Sequence, residues 1–152
     1  MPLFRKLLFT IDYVHGNFVV STGQLSKSPS PDTLDLEAAG SLGIPIKIAG
    51  TDMIATIDTG SPAYFSFPGK FMEELPLTEK PKEVGRARTM SGEGIIYGSK
   101  INGNVVLGKY TFENPEVTFF DRLNRMNIGY AFLKQFAITI DLQNARIKFE
   151  KG

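Results

Sequence analysis

The 152-residue chain contains no cysteine and a single histidine. The first absence excludes disulfides, a thiolate nucleophile and thiolate metal sites, and leaves the compartment undetermined. The second leaves Ser-His-Asp chemistry dependent on His15 alone and argues against a histidine metal centre. His15 itself sits in a predicted turn, Tyr13-Val14-His15-Gly16-Asn17, as a solvated residue. Net charge is also lacking: at +1 the chain offers no electrostatic case for nucleic acid or an anionic membrane. No stretch approaches the roughly 20 apolar residues of a membrane span. The opening Met1-Pro2-Leu3-Phe4-Arg5-Lys6-Leu7-Leu8-Phe9 has too short an apolar run before Asp12, and no small-residue cleavage site, to read as an export signal. If the natural protein is longer, periplasmic or exported placement stays open.

What is present points to β-structure. Fifteen glycines, nine prolines and twelve phenylalanines, with little helical periodicity, predict an all-β domain rich in turns. Leu7–Asp12 and Phe18–Ser21 read as a hairpin. Residues 26–35, from Ser-Lys-Ser-Pro-Ser-Pro-Asp onward, read as a solvated linker. Thr33 to Ala39 then leads into a hairpin, Leu42–Ile48 and Asp52–Ile57. Pro68–Leu75 is predicted as one short helix from the spacing of Phe71, Met72 and Leu75. Val84–Thr89 and Ile95–Ile101 flank a glycine-rich tip, Met90-Ser91-Gly92-Glu93-Gly94. Val105–Phe112 and Val117–Phe120 read as two strands and Asp121–Asn127 as a charged loop. A helical turn ends at Gln135, and Phe136–Asp141 with Arg146–Glu150 forms a last hairpin.

The chain is organised around Met53-Ile54-Ala55-Thr56-Ile57-Asp58-Thr59-Gly60-Ser61. An apolar strand delivers a carboxylate onto a tight turn, where backbone N–H groups can reach it and favour its ionised form. The bland alternative is a buried aspartate capping a turn in an unrelated β-protein. Actin-like and sugar kinases carry a similar turn over phosphate, but they need two large α/β lobes, and this chain is too short for them.

Ile-Asp-Thr-Gly-Ser after an apolar strand resembles the active-site loop of aspartic peptidases. A short chain with one such triplet resembles their retropepsin-like branch. Met126-Asn127-Ile128-Gly129-Tyr130-Ala131-Phe132-Leu133, followed by the terminal hairpin, resembles the closing pattern of that family. The resemblance implies an all-β, retropepsin-like acid protease barrel over residues 36–152, with a flap hairpin and one short C-terminal helix. It also implies hydrolysis of a polypeptide substrate by two aspartates sharing one water, with no metal or organic cofactor. Asp58 takes the catalytic position. Thr59 would bond the partner loop across the two-fold axis, Gly60 would allow its close approach, and Ser61 would hydrogen-bond the carboxylate. Ser91, Gly92, Glu93 and Gly94 are the flap candidates. Pro62 departs from the family pattern. No other acid shares Asp58's setting, so the second carboxylate is expected from a homodimer. A non-catalytic dimerisation or peptide-binding module of the same fold is the alternative.

Residues 1–25 resemble the chain's own end. At an offset of 129 positions, Phe9-Thr10-Ile11-Asp12 falls on Ile138-Thr139-Ile140-Asp141, with Arg5 on Lys134, Phe18 on Ile147, Val20 on Phe149 and Gly23 on Gly152. This segment reads as the tail of a preceding repeat. An upstream repeat would then be the alternative source of the second aspartate, and the hairpin is expected to pack on the main domain or on a partner.

Overall fold

The computed structural model describes residues 6–38, 42–90 and 92–152. The expectations placed on residues 1–5, Ala39 and Ser91 therefore lie outside the described residues.

Fourteen strands and two four-residue helices make up the described chain, an all-β architecture. The two strands β1 (Leu7–Asp12) and β2 (Asn17–Thr22) form the first hairpin, and β3 (Thr33–Asp35) follows the Ser/Pro stretch. Next come β4 (Gly43–Ile48), β5 (Thr51–Ile57), β6 (Phe65–Pro68) and α1 (Phe71–Glu74). The long hairpin β7 (Lys82–Thr89) and β8 (Gly92–Lys100) precedes β9 (Asn104–Leu107), β10 (Tyr110–Glu113) and β11 (Glu116–Phe120). The chain closes with β12 (Met126–Ile128), α2 (Tyr130–Leu133), β13 (Phe136–Asp141) and β14 (Arg146–Lys151).

These strands form two sheets, one ordered β2-β1-β13-β14-β3 and one ordered β10-β9-β4-β5-β12-β6-β11-β8-β7. The inward faces follow period-two alternation: in β4, Ile44, Ile46 and Ile48 are buried while Pro45 and Lys47 are exposed. Between the sheets lies an aromatic cluster centred on Phe132 of α2. Its ring centroid is 5.0 Å from Phe65, 4.9 Å from Phe112 and 5.1 Å from Phe136. Tyr64 closes the cluster at 5.3 Å, its hydroxyl accepting from Gln135 Nε2 at 3.0 Å.

Three local readings are corrected. Val105–Phe112 is two strands, because Gly108 turns the chain at φ 55°, where a side chain would meet the Pro31 carbonyl. Asp121–Asn127 is not loop throughout, since Met126 and Asn127 enter β12 and pair with Ala55 and Thr56. Pro68–Leu75 begins as strand rather than helix, because Phe65–Pro68 pairs in parallel with Val117–Phe120. The Ser/Pro stretch is largely exposed yet tied to the body: Pro31 O accepts from Lys109 N at 2.8 Å, and Asp32 O from Phe149 N at 2.8 Å. The first hairpin joins the first sheet through β1 and β13.

Candidate active site

Strand β5 ends at Ile57 and β6 begins at Phe65, but the two are not neighbours. Strand β12 is inserted between them, parallel to β5 and antiparallel to β6. The connecting loop 58–64 must therefore arch over the end of β12, and Asp58 sits where the arch starts. Its backbone N–H donates to Ile128 O at 2.9 Å, which continues the β5–β12 pairing.

The arch is fastened along its length. Gly129 N donates to Tyr64 O at 3.1 Å, Tyr130 N to Ser61 O at 2.7 Å and Ala131 N to Ala63 O at 3.3 Å. Close approach explains the glycine. A Cβ on Gly129 would lie 2.3 Å from Ala63 O and 2.8 Å from Ser61 O, although its backbone is extended and unstrained. The two distant sequence blocks, Asp58–Ser61 and Asn127–Leu133, thus form one structural unit.

The half-buried Asp58 carboxylate receives one donor on each oxygen. Gly60 N donates to Oδ1 at 3.1 Å and the Asn127 side-chain amide to Oδ2 at 2.9 Å. Both are suited to an ionised acid. Ser61 is joined to the arch through its backbone, its N–H donating to Asp58 O at 3.2 Å. Thr59 and Gly60 are exposed, at the outer surface of the turn. Among the described residues the Asp58 carboxylate is bonded to Gly60 and Asn127 and to no second acid. No group of three or more metal-ligating side chains is found among the described residues.

Asn127 is the site residue that sequence reading missed. The sequence signal is a polar residue between apolar Met126 and Ile128, one step before Gly129; the structure buries both flanking residues and half-buries Asn127. The charged residues just upstream hid the short strand.

Of the flap candidates, Gly92, Glu93 and Gly94 lie on β8 of the β7–β8 hairpin, at the edge of the nine-stranded sheet. Gly92 turns at φ 121°, and its carbonyl accepts from Thr89 Oγ1 at 3.1 Å. Gly94 packs against a ring: a Cβ there would lie 2.5 Å from Phe120 Cε2. Glu93 is exposed on β8, and Tyr97 is half-buried against the core.

Residues 44–132 match the family described as aspartyl protease. Among solved structures, the chain is similar to a retropepsin-like aspartic protease from Rickettsia conorii, with a TM-score of 0.59 at 19% identity. That likeness covers 76% of this chain and 94% of the other. It is also similar to the EIAV protease complexed with the inhibitor HBY-793, with a TM-score of 0.52 at 10% identity over 64% and 89% of the two chains. At these identities the likeness is one of fold. No curated protein matches the chain. The family match spans more than half of the sequence and takes in Asp58–Ser61 and Asn127–Phe132 of the arch, and the chain belongs to the aspartyl protease family, with a retropepsin-like fold.

Proposed function

We propose that the chain supplies one half of an aspartic endopeptidase active site, with Asp58 as its catalytic carboxylate. The observation that carries this reading is the placement of Asp58: it lies on a backbone-locked arch, with one hydrogen-bond donor on each oxygen. A second carboxylate, from another lobe across a two-fold axis, completes the site. That lobe is either a second copy of this chain in a homodimer or an upstream repeat.

Two carboxylates about 3 Å apart cannot both ionise, so one proton is shared between them. The ionised member takes a proton from the bound water as the water oxygen attacks the scissile carbonyl carbon. The protonated member donates its proton to the carbonyl oxygen, giving a neutral tetrahedral intermediate. Proton transfer to the amide nitrogen then breaks the C–N bond and releases a carboxylic acid and an amine. Thr59 bonds the partner loop, Gly60 permits its approach, and the β7–β8 hairpin with Ser91, Gly92, Glu93 and Gly94 covers a polypeptide substrate. No metal or organic cofactor enters this chemistry.

The lack of a second acid beside Asp58 among the described residues favours one rival, a non-catalytic binding module of the same fold. Hydrolysis of a peptide library from acid to neutral pH, comparing parent and Asp58→Asn in the fully assembled protein, separates the two. Cleavage by the parent alone supports the peptidase. Equal cleavage by both, or none by either, sinks it.

A further inference from the structure

The first and last hairpins are built alike in three dimensions. At the offset of 129, all six rungs of β1–β2, from Leu7↔Thr22 to Asp12↔Asn17, fall on the six rungs of β13–β14, from Phe136↔Lys151 to Asp141↔Arg146. Their turns repeat as well. His15 donates its backbone N–H to Asp12 Oδ1 at 3.0 Å, and its ring Nδ1 lies 2.8 Å from Oδ2. Its counterpart Asn144 donates its N–H to Asp141 Oδ1 at 3.1 Å and its side-chain amide to Oδ2 at 2.8 Å. Gly16 and its counterpart Ala145 both have positive φ, 70° and 51°.

The two hairpins also meet symmetrically. Strand β1 pairs with β13 so that Thr10 faces Thr139, its own counterpart, and Phe9↔Ile140 mirrors Ile11↔Ile138. A local two-fold axis therefore passes through this rung, where the threonine hydroxyls lie 2.9 Å apart. The surroundings break the symmetry. Strand β14 carries β3 on its outer edge along Arg146–Lys148, whereas no described strand pairs with the outer edge of β2. Ile147 and Phe149 are 0% and 1% exposed, while their counterparts Phe18 and Val20 are 65% and 45% exposed.

We propose that residues 6–23 are the closing hairpin of a second retropepsin-like lobe, which precedes this one in the same polypeptide and docks on Phe18, Val20 and the free edge of β2. Its counterpart of β3 adds a sixth strand, and its core covers the exposed apolar face as this lobe covers Ile147 and Phe149. A second copy of the chain does not serve. In each copy the place that would receive Phe18 and Val20 is filled by its own Ile147 and Phe149, and the edge of β13 is taken by its own β1. Chain order gives the direction, since a closing hairpin follows the lobe it closes. The docking rests on the repeat alone. That the docked lobe also brings the second carboxylate to the exposed Thr59-Gly60 turn rests on the peptidase reading.

The test begins with the polypeptide in its source cells, detected with antibodies to this chain and mapped by peptide mass spectrometry. It is expected to be longer by about one lobe, on the order of 100 residues, all of them upstream of Met1. A native polypeptide of single-lobe size overturns the proposal. The second arm places Phe18→Asp with Val20→Asp in both the 152-residue chain and the longer polypeptide. The pair is expected to lower the melting temperature of the short chain only slightly, through loss of the Phe9–Phe18 ring contact, and to lower that of the long one by about 10 °C more, because charge is buried only there. Val20→Thr, a milder change, keeps the comparison readable should the double variant of the long form fail to fold. Substitutions silent in the long form overturn the docking. So does a short chain that dimerises in sedimentation and loses the dimer with Phe18→Asp, since this assigns the face to a second copy. Peptide hydrolysis is read separately: a docked, two-lobed but inactive protein removes the peptidase reading and keeps the docking.

Discussion

The side-chain amide of Asn127 donates to Asp58 Oδ2 at 2.9 Å, across the junction of two strands far apart in sequence. Strand β12 therefore does more than support the arch, because it also supplies a donor that stabilises negative charge on the carboxylate. Replacement Asn127→Leu keeps the approximate size and removes that donor. A hydrogen bond to a charged group contributes about 1.5–3 kcal/mol, so on the proposed peptidase reading kcat/KM of the assembled protein for peptide hydrolysis should fall at least about tenfold. Thermal melts should show the fold retained. A variant with parental kcat/KM would show that this bond is incidental to catalysis.

Gly129 sets how closely the two blocks of the arch can approach. In Gly129→Ala the new Cβ meets two backbone carbonyls, those of Ala63 and Ser61, and neither can move without breaking its own hydrogen bond. The expected loss is about 3 kcal/mol in urea unfolding. A midpoint within error of the parent would mean that the arch is softer than its contacts imply.

These two sites illustrate what could be read from the residues alone. The Asp58 turn and the terminal hairpins announce themselves through local chemistry: a carboxylate, a small hydroxyl and a glycine after apolar residues, or alternation broken by turn residues. Gly129 was visible as part of a pattern, but its reason was not, since the two carbonyls that exclude a side chain belong to residues more than sixty positions earlier. The insertion of β12 between β5 and β6 was hidden for the same cause. Three residues carry too little periodicity to declare a strand, and pairing partners are not encoded in local spacing. Gly108 was misread inside a strand because Val105-Val106-Leu107 and Tyr110-Thr111-Phe112 both favour extended backbone. Only the positive φ and the nearby Pro31 carbonyl reveal the turn.

Phe132 anchors the aromatic cluster that joins the arch to the terminal hairpin. It is fully buried, and its ring meets those of Tyr64, Phe65, Phe112 and Phe136. Truncation in Phe132→Ala leaves a cavity bordered by four aromatic rings that cannot all collapse into it. Equilibrium unfolding should show a loss of about 3–5 kcal/mol. A loss below about 1.5 kcal/mol, the range of a volume-conserving swap, would show that the cluster repacks freely.

The first hairpin should carry an acid-sensitive turn. The backbone N–H of His15, then its ring, hold the Asp12 carboxyl below the usual carboxylate range. A lowered value in the fold means that the ionised form is the one stabilised. The contribution is therefore fully present above the unfolded value, about 3.9, and is lost as pH falls through the lower folded value. Asp12→Asn cannot ionise, so the stability advantage of parent over variant should shrink as pH falls through the folded value of Asp12. Amide proton shifts of Val14 and His15, whose N–H groups both donate to Asp12 Oδ1 at 3.0 Å, should titrate in the parent over the same window and stay flat in the variant. A midpoint at or above the usual aspartate value would contradict the assignment, because donors on the ionised form can only lower it.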